Sequence, residues 1–301
     1  MNIDRYGHIG KPEESSHIEV VEDPVQAAIS GFKIWSVMAV SEENNIGVAA
    51  TAIDRTVFDR LYDEACRILA PRAPLFRELN SNQLEQITAF MPESKQSVFH
   101  HGNSGLYLSA LLNVTELPSM EGVFKQPLLG YRLASGKKLV CEKGSNVYAL
   151  GLIAEGDLIN KGVCEYMFAF CARSGVQINY GNVSEDMGEY AINGVRINLG
   201  KVGRKFGEGR GGADLNYGEY DDSLTMMFGK GFIDGYVAKE ESPLRKHHPF
   251  GDKTEKAWPL LIELQEKVRP LQQLLKDDSA DTSKLEDELL LAAKKLEEAL
   301  K

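Results

Sequence analysis

The alternation of apolar and polar positions divides this chain of 301 residues into stretches of different period. Near its end, Leu261, Leu264, Val268, Leu271 and Leu275 recur at helical spacing, and after "KDDSADTS" so do Leu285, Leu289, Ala292, Leu296 and Ala299. Both sets have the heptad rhythm of a helix seam, so residues 254–301 are expected to form a helical hairpin. Pro259 suits the first turn, Pro270 should kink the first helix, and "SKLE" at 283–286 reads as a capping box for the second.

In the first third, "DRTVFDRLYDEACRILAPRA" places Val57, Leu61, Ala65 and Leu69 on one helical face. "NSNQLEQITAFMP" reads as a shorter helix capped by Asn80 or Ser81 and stopped by Pro92, and residues 103–114 as a third helix or a buried strand. "GFKIWSVMAV" at 31–40 alternates and is expected to be a strand. Residues 1–30, acidic through Asp4, Glu13, Glu14, Glu19, Glu22 and Asp23, are expected to be an extended arm.

From about residue 136 the helical period fades and a longer one takes over. "GVQINYG" at 175–181 returns as "GVRINLG" at 194–200 and "GADLNYG" at 212–218, and "GDLINKG" at 156–162 precedes them. The four copies share Gly at positions one and seven, Ile or Leu at four and Asn at five, with a period near 19. Position nine (Cys164, Val183, Val202, Tyr220) and position thirteen (Phe168, Met187, Phe206, Leu224) are apolar as well. Such a unit suits a hairpin meander, in which Asn sits beside a turn, or a coil of a β-solenoid, in which Asn stacks in a ladder. The unequal charge of the return segments favours the meander. The chain is thus an α+β protein in four parts: an arm over 1–30, a strand with helices over 31–135, a repeat-containing β region over 136–250, and the hairpin over 254–301.

Composition adds limits. A hydrophobic share of 43%, a charged share of 26% and a net charge of -10 describe an ordinary globular chain that opposes broad contact with nucleic-acid backbones or anionic membranes. No run approaches the ~18 apolar residues of a membrane span and no leader is visible, so a cytoplasmic location is expected. Cys66, Cys141, Cys164 and Cys171 lack metal or redox spacing and are expected to be reduced thiols.

Against the acidic whole, Arg196, Lys201, Arg204, Lys205 and Arg210 form one basic stretch. It is a candidate surface for an anion or an acidic partner, although it lacks the strand context and Ser or Thr of a phosphate-binding loop. His247 with His248, and Asp221 with Asp222, read as solvated turns rather than metal sites, and neither a metal nor any other cofactor is expected. His100 and His101 open "HHGNSGLYLSALLNV". Residues 97–114 resemble the opening of ADP-ribosyltransferase domains, where a His after a strand contacts the ribose of NAD. That resemblance implies a Tyr or Ser on a later strand and a catalytic Glu, for which Tyr148 and Glu189 can be named. The bland reading of the pair, solvated or capping, is preferred.

The leading expectation is therefore a non-enzymatic binding or assembly protein, a scaffold or virion-type component. It would join copies of itself or another protein, with Leu285, Leu289, Ala292 and Leu296 as an interface. A nucleotide-handling enzyme or effector using His100 or His101, and a nucleic-acid binder using 201–210, are the alternatives.

Overall fold

A computed structural model describes residues 22–45, 55–77, 79–91, 104–204, 206, 211–220, 232–236, 249–277 and 280–301. It has helices at the N-terminal side, a parallel β-solenoid in the middle and a pair of helices at the end. Of the expected arm, residues 1–21 lie outside this description, and Pro24 already belongs to a helix.

Helix α1 (Pro24–Asn45) replaces the strand expected at 31–40. Its buried positions Val25, Ala28, Phe32, Trp35 and Ala39 follow helical spacing, a period hidden when the window opens at residue 31. Proline at the first helical position gives up no hydrogen bond, and the Asp23 carboxylate accepts from the Val25 N–H at 3.1 Å. Helix α2 (Arg55–Leu69) runs into a 3₁₀ turn (Ala70–Phe76), and α3 (Ser81–Phe90) is capped by Asn80, one of the two expected caps, in a capping box with Gln83. Helix α4 (Ser104–Val114) is buried from Ser104 to Leu112, which explains why its pattern fitted strand and helix alike. Trp35 donates to the Leu61 carbonyl and Tyr107 to that of Ala28, both at 2.8 Å, so these helices are pinned through their interior.

Among the described residues the solenoid has seven coils. Its main sheet stacks β1 (Ser119–Gly122), β2 (Lys138–Cys141), β4 (Asp157–Asn160), β6 (Val176–Asn179), β8 (Val195–Asn198), β10 (Ala213–Asn216) and β12 (Phe232–Asp234). A second sheet stacks β3 (Asn146–Val147), β5 (Val163–Cys164), β7 (Asn182–Glu185), β9 (Lys201–Arg204) and β11 (Glu219–Tyr220). A third face is drawn by parallel bridges joining Leu129, Leu150, Phe168 and Met187. Every pairing is parallel, as Val176 beside Val195 and Ala213 beside Val195 show, which replaces the favoured meander with stacked coils. The charge of the return segments did not decide the fold. Stacking is fixed by backbone hydrogen bonds and by the inward columns, while the returns carry their variable side chains outward.

Positions nine and thirteen fill the coil interior with Cys164, Val183, Val202, Phe168, Met187 and Phe206, all buried. That interior is continuous with the N-terminal helices through Leu128, Leu129 and Leu133, so the helices close one end of the solenoid. Positions two and four point the other way: Val176, Ile178, Val195, Ile197, Ala213, Leu215 and Ile233 pack under the hairpin of α5 (Thr254–Leu274) and α6 (Ser283–Leu300). Glu297 accepts the Gly175 N–H at 2.7 Å and Lys294 meets Asp157 at 2.6 Å, fixing α6 across two coils. Helix α5 continues through Pro259 and Pro270, and α6 begins after Thr282 without the expected capping box, the Thr282 hydroxyl bonding Glu286 instead.

The two repeated glycines share close approach to the backbone of the coil below, and position one adds a second requirement. At position one, Gly175, Gly194 and Gly212 have φ of +86°, +96° and +82°, a conformation few other residues take. At position seven, Gly181, Gly200 and Gly218 have ordinary φ, but a Cβ there would overlap a backbone carbonyl oxygen of the coil below. Gly200→Ala is therefore expected to lower stability by at least about 1–3 kcal/mol through overpacking against rigid backbone. Chemical denaturation of the variant checks this.

Candidate functional site

The asparagines of position five form the ladder foreseen for stacked coils. Asn160 donates to Asn179 at 2.9 Å, Asn179 to Asn198 at 3.0 Å, Asn198 to Asn216 at 2.8 Å, and Asn216 to Asp234 at 2.8 Å. A one-way chain of amide donors needs a last acceptor. Asp234, an acceptor without an N–H, ends it at the exposed rung.

The ladder turns the next residue outward. Position six, between the repeated Asn and Gly, is variable and mixes charged, aromatic and aliphatic residues: Lys161, Tyr180, Leu199 and Tyr217, with Glu142 in the coil below Lys161. Position three varies too, through Leu158, Gln177, Arg196 and Asp214, but is buried in the coil. Glu142, Lys161, Tyr180 and Leu199 of the position-six column form one wall of a groove of about 900 Å³ whose other wall is the end of α5 and the start of α6. Glu142, Lys143, Lys161, Tyr180, Leu199 and Tyr236 line the solenoid side, facing Arg269, Gln272, Gln273, Leu275, Lys276 and Glu286.

Several contacts shape the walls. Lys161 is clamped between Glu142 at 3.1 Å and Glu286 at 3.0 Å. Burial favours its neutral form, but the bonds to Glu286 and Glu142 outweigh that and raise its pKa. The Arg269 guanidinium lies 4.7 Å from the centre of the Tyr236 ring, which also packs on Tyr217 at 5.0 Å. Gln272 accepts from the Tyr236 hydroxyl and donates to the Tyr217 carbonyl, which ties the last coil to α5. The Tyr180 hydroxyl is buried with no hydrogen-bond partner among the described residues, and burial, reinforced by Glu286 and Asp287, pushes its pKa well up.

Beside the groove, Glu121 of β1 has a raised pKa because of burial and a hydrogen bond to Glu142. A carboxyl whose folded pKa is raised supports the fold below its unfolded pKa and loses that support as pH rises through the folded value. Glu121→Gln is thus expected to raise the melting temperature at pH 7, the gain vanishing in acid below the ordinary carboxyl range. Thermal melts of both proteins from pH 3 to pH 7 read this out.

The basic stretch separates in space. Arg196 is fully buried inside the solenoid, paired with Asp214 and donating to the carbonyls of Asn193 at 2.8 Å and Gly211 at 2.7 Å. Its position-three column is leucine in lower coils, at Leu139 and Leu158. Arg196 therefore leaves the expected anion-binding surface. Lys201 is exposed, Arg204 holds the last backbone position of β9, and Lys205 and Arg210 lie outside the described residues. So do His100, His101, His247, His248, Asp221 and Asp222. Tyr148 stacks on Tyr166 at 5.6 Å and Glu189 is buried in the solenoid.

Of the expected hairpin interface, Leu289, Ala292 and Leu296 are buried against the chain's own sheet and α5, with Leu285 half-buried beside them. The seam closes within one chain. The thiols are free, and burial raises the pKa of Cys141 and pushes that of Cys164 up to about 12. Among the described residues no group of three His, Cys, Asp or Glu is placed to hold a metal ion, and no helix is long and apolar enough to cross a membrane.

The groove was absent from the sequence reading. Its signal was the variable residue between the repeated Asn and Gly, which gains meaning only when the hairpin is known to lie opposite. No protein-family model, no curated protein and no solved structure matches this chain.

Proposed function

We propose that this is a non-catalytic binding and assembly protein, in which the solenoid is a rigid scaffold and the groove takes up a segment of a protein partner or of a second copy. The observation that supports this reading is the division of labour within the repeat. Positions one, five and seven repeat Gly, Asn and Gly and build the coils, while position six varies and faces a groove of about 900 Å³. Volumes of this size are typical of ligand sites, and a parallel stack holds its outward side chains at fixed spacing.

Photo-crosslinking from the groove tests it. A benzoylphenylalanine replacing Gln273, an exposed residue on the groove's rim, is expected to give a discrete adduct in the cells that make the protein, whereas the same group replacing exposed Ile34 of α1 gives none. Adducts of equal yield at both positions, or at neither, would contradict the proposal.

A further inference from the structure

Resting on that reading of the groove, we infer that its occupant is an extended peptide segment carrying acidic side chains among aliphatic ones. The length of the site supports a chain. Its wall runs from Glu142 in the second coil to Tyr236 in the seventh, five rungs of the stack. At about 4.8 Å per rung this is about 24 Å, the reach of about seven extended residues.

The charge supports acids. Among the described residues, Lys143, Lys161, Arg269 and Lys276 line the groove against Glu142, Asp277 and Glu286, four cations to three anions, in a chain whose net charge is -10. Two of those carboxylates already clamp Lys161. What meets an incoming segment is therefore the hairpin side, where Arg269 is held on Tyr236 and Lys276 is exposed. An acidic segment is repelled by the protein as a whole and attracted here, which directs it to this site. Leu199 and Leu275 offer apolar contact, the Gln273 amide lies in the same wall, and the Tyr180 hydroxyl is a buried donor that an entering carboxylate or carbonyl would satisfy.

The test uses the intact protein as bait for phage-displayed random heptapeptides, followed by synthesis of the enriched sequences. Acidic–aliphatic peptides are expected to be enriched, and Lys276→Glu is expected to weaken their binding by about tenfold or more. Filling the groove with Leu199→Trp is expected to abolish binding. Circular dichroism melts confirm that both variants fold. A neutral or basic pool that Leu199→Trp still abolishes would overturn the acidic assignment and leave the binding groove standing. No retained pool, or one indifferent to both variants, would overturn both.

Discussion

Replacing Arg196 with Met is expected to destabilise the protein by about 3–5 kcal/mol, the scale for removing one partner of a buried ion pair. Arg196 and Asp214 sit in adjacent coils with side chains fully enclosed, and Arg196 is the partner through which the Asp214 charge is compensated across the stack. The carbonyls of Asn193 and Gly211 lose their donors at the same time. Gly188 makes room for this arginine, since a Cβ there would overlap its side chain. The double variant Arg196→Met, Asp214→Leu is expected to recover most of the loss, because the same column already holds Leu139 and Leu158 in lower coils. Recovery should stop about 1–2 kcal/mol short, reflecting the carbonyls left without donors. Urea denaturation of both single variants and the double variant gives the coupling directly. A cost below about 1 kcal/mol for Arg196→Met would mean that the interior admits water, contrary to the packing described.

The second large effect is expected at Asn198, midway along the ladder. Asn198→Ala removes an acceptor for Asn179 and the donor to Asn216 and to the Glu219 carbonyl at 3.1 Å. Each buried group left unpaired costs about 1–3 kcal/mol, so a total of about 2–5 kcal/mol is expected. The effect should depend on the rung. Asp234→Ala, at a position whose own side chain is exposed, removes one of two acceptors of the Asn216 amide, which keeps the Gly218 carbonyl at 3.4 Å, and should cost about 1 kcal/mol or less. Thermal and urea melts along the series test this, and equal losses at Asn198 and Asp234 would show that the asparagines act singly.

How much of this was legible beforehand varied with how local the cause was. The cap at Asn80 or Ser81, helix α2 and the apolar seams of the hairpin follow from neighbours in the chain and were readable. The repeat was readable where Asn and Gly mark it, over four coils. The first, second and last coils escaped because Gly122 and Cys141 hold the ladder position in two of them and the third ends on Asp234. Arg196 was misplaced for a related reason. Alternation put it opposite Val195 and Ile197, and that opposite face is the coil interior rather than solvent. The groove lay beyond local reading altogether. Position six meets α5 only because positions two and four draw the hairpin onto the sheet, and that docking joins residues about a hundred apart.

The most direct test of the central claim is hydrogen exchange on the whole chain with and without a groove-selected heptapeptide. Added protection is predicted around 142–143, 161, 180, 199 and 236 on the solenoid and 269–277 on the hairpin. Protection centred on 201–204 instead, or spread without reference to the groove, would contradict it.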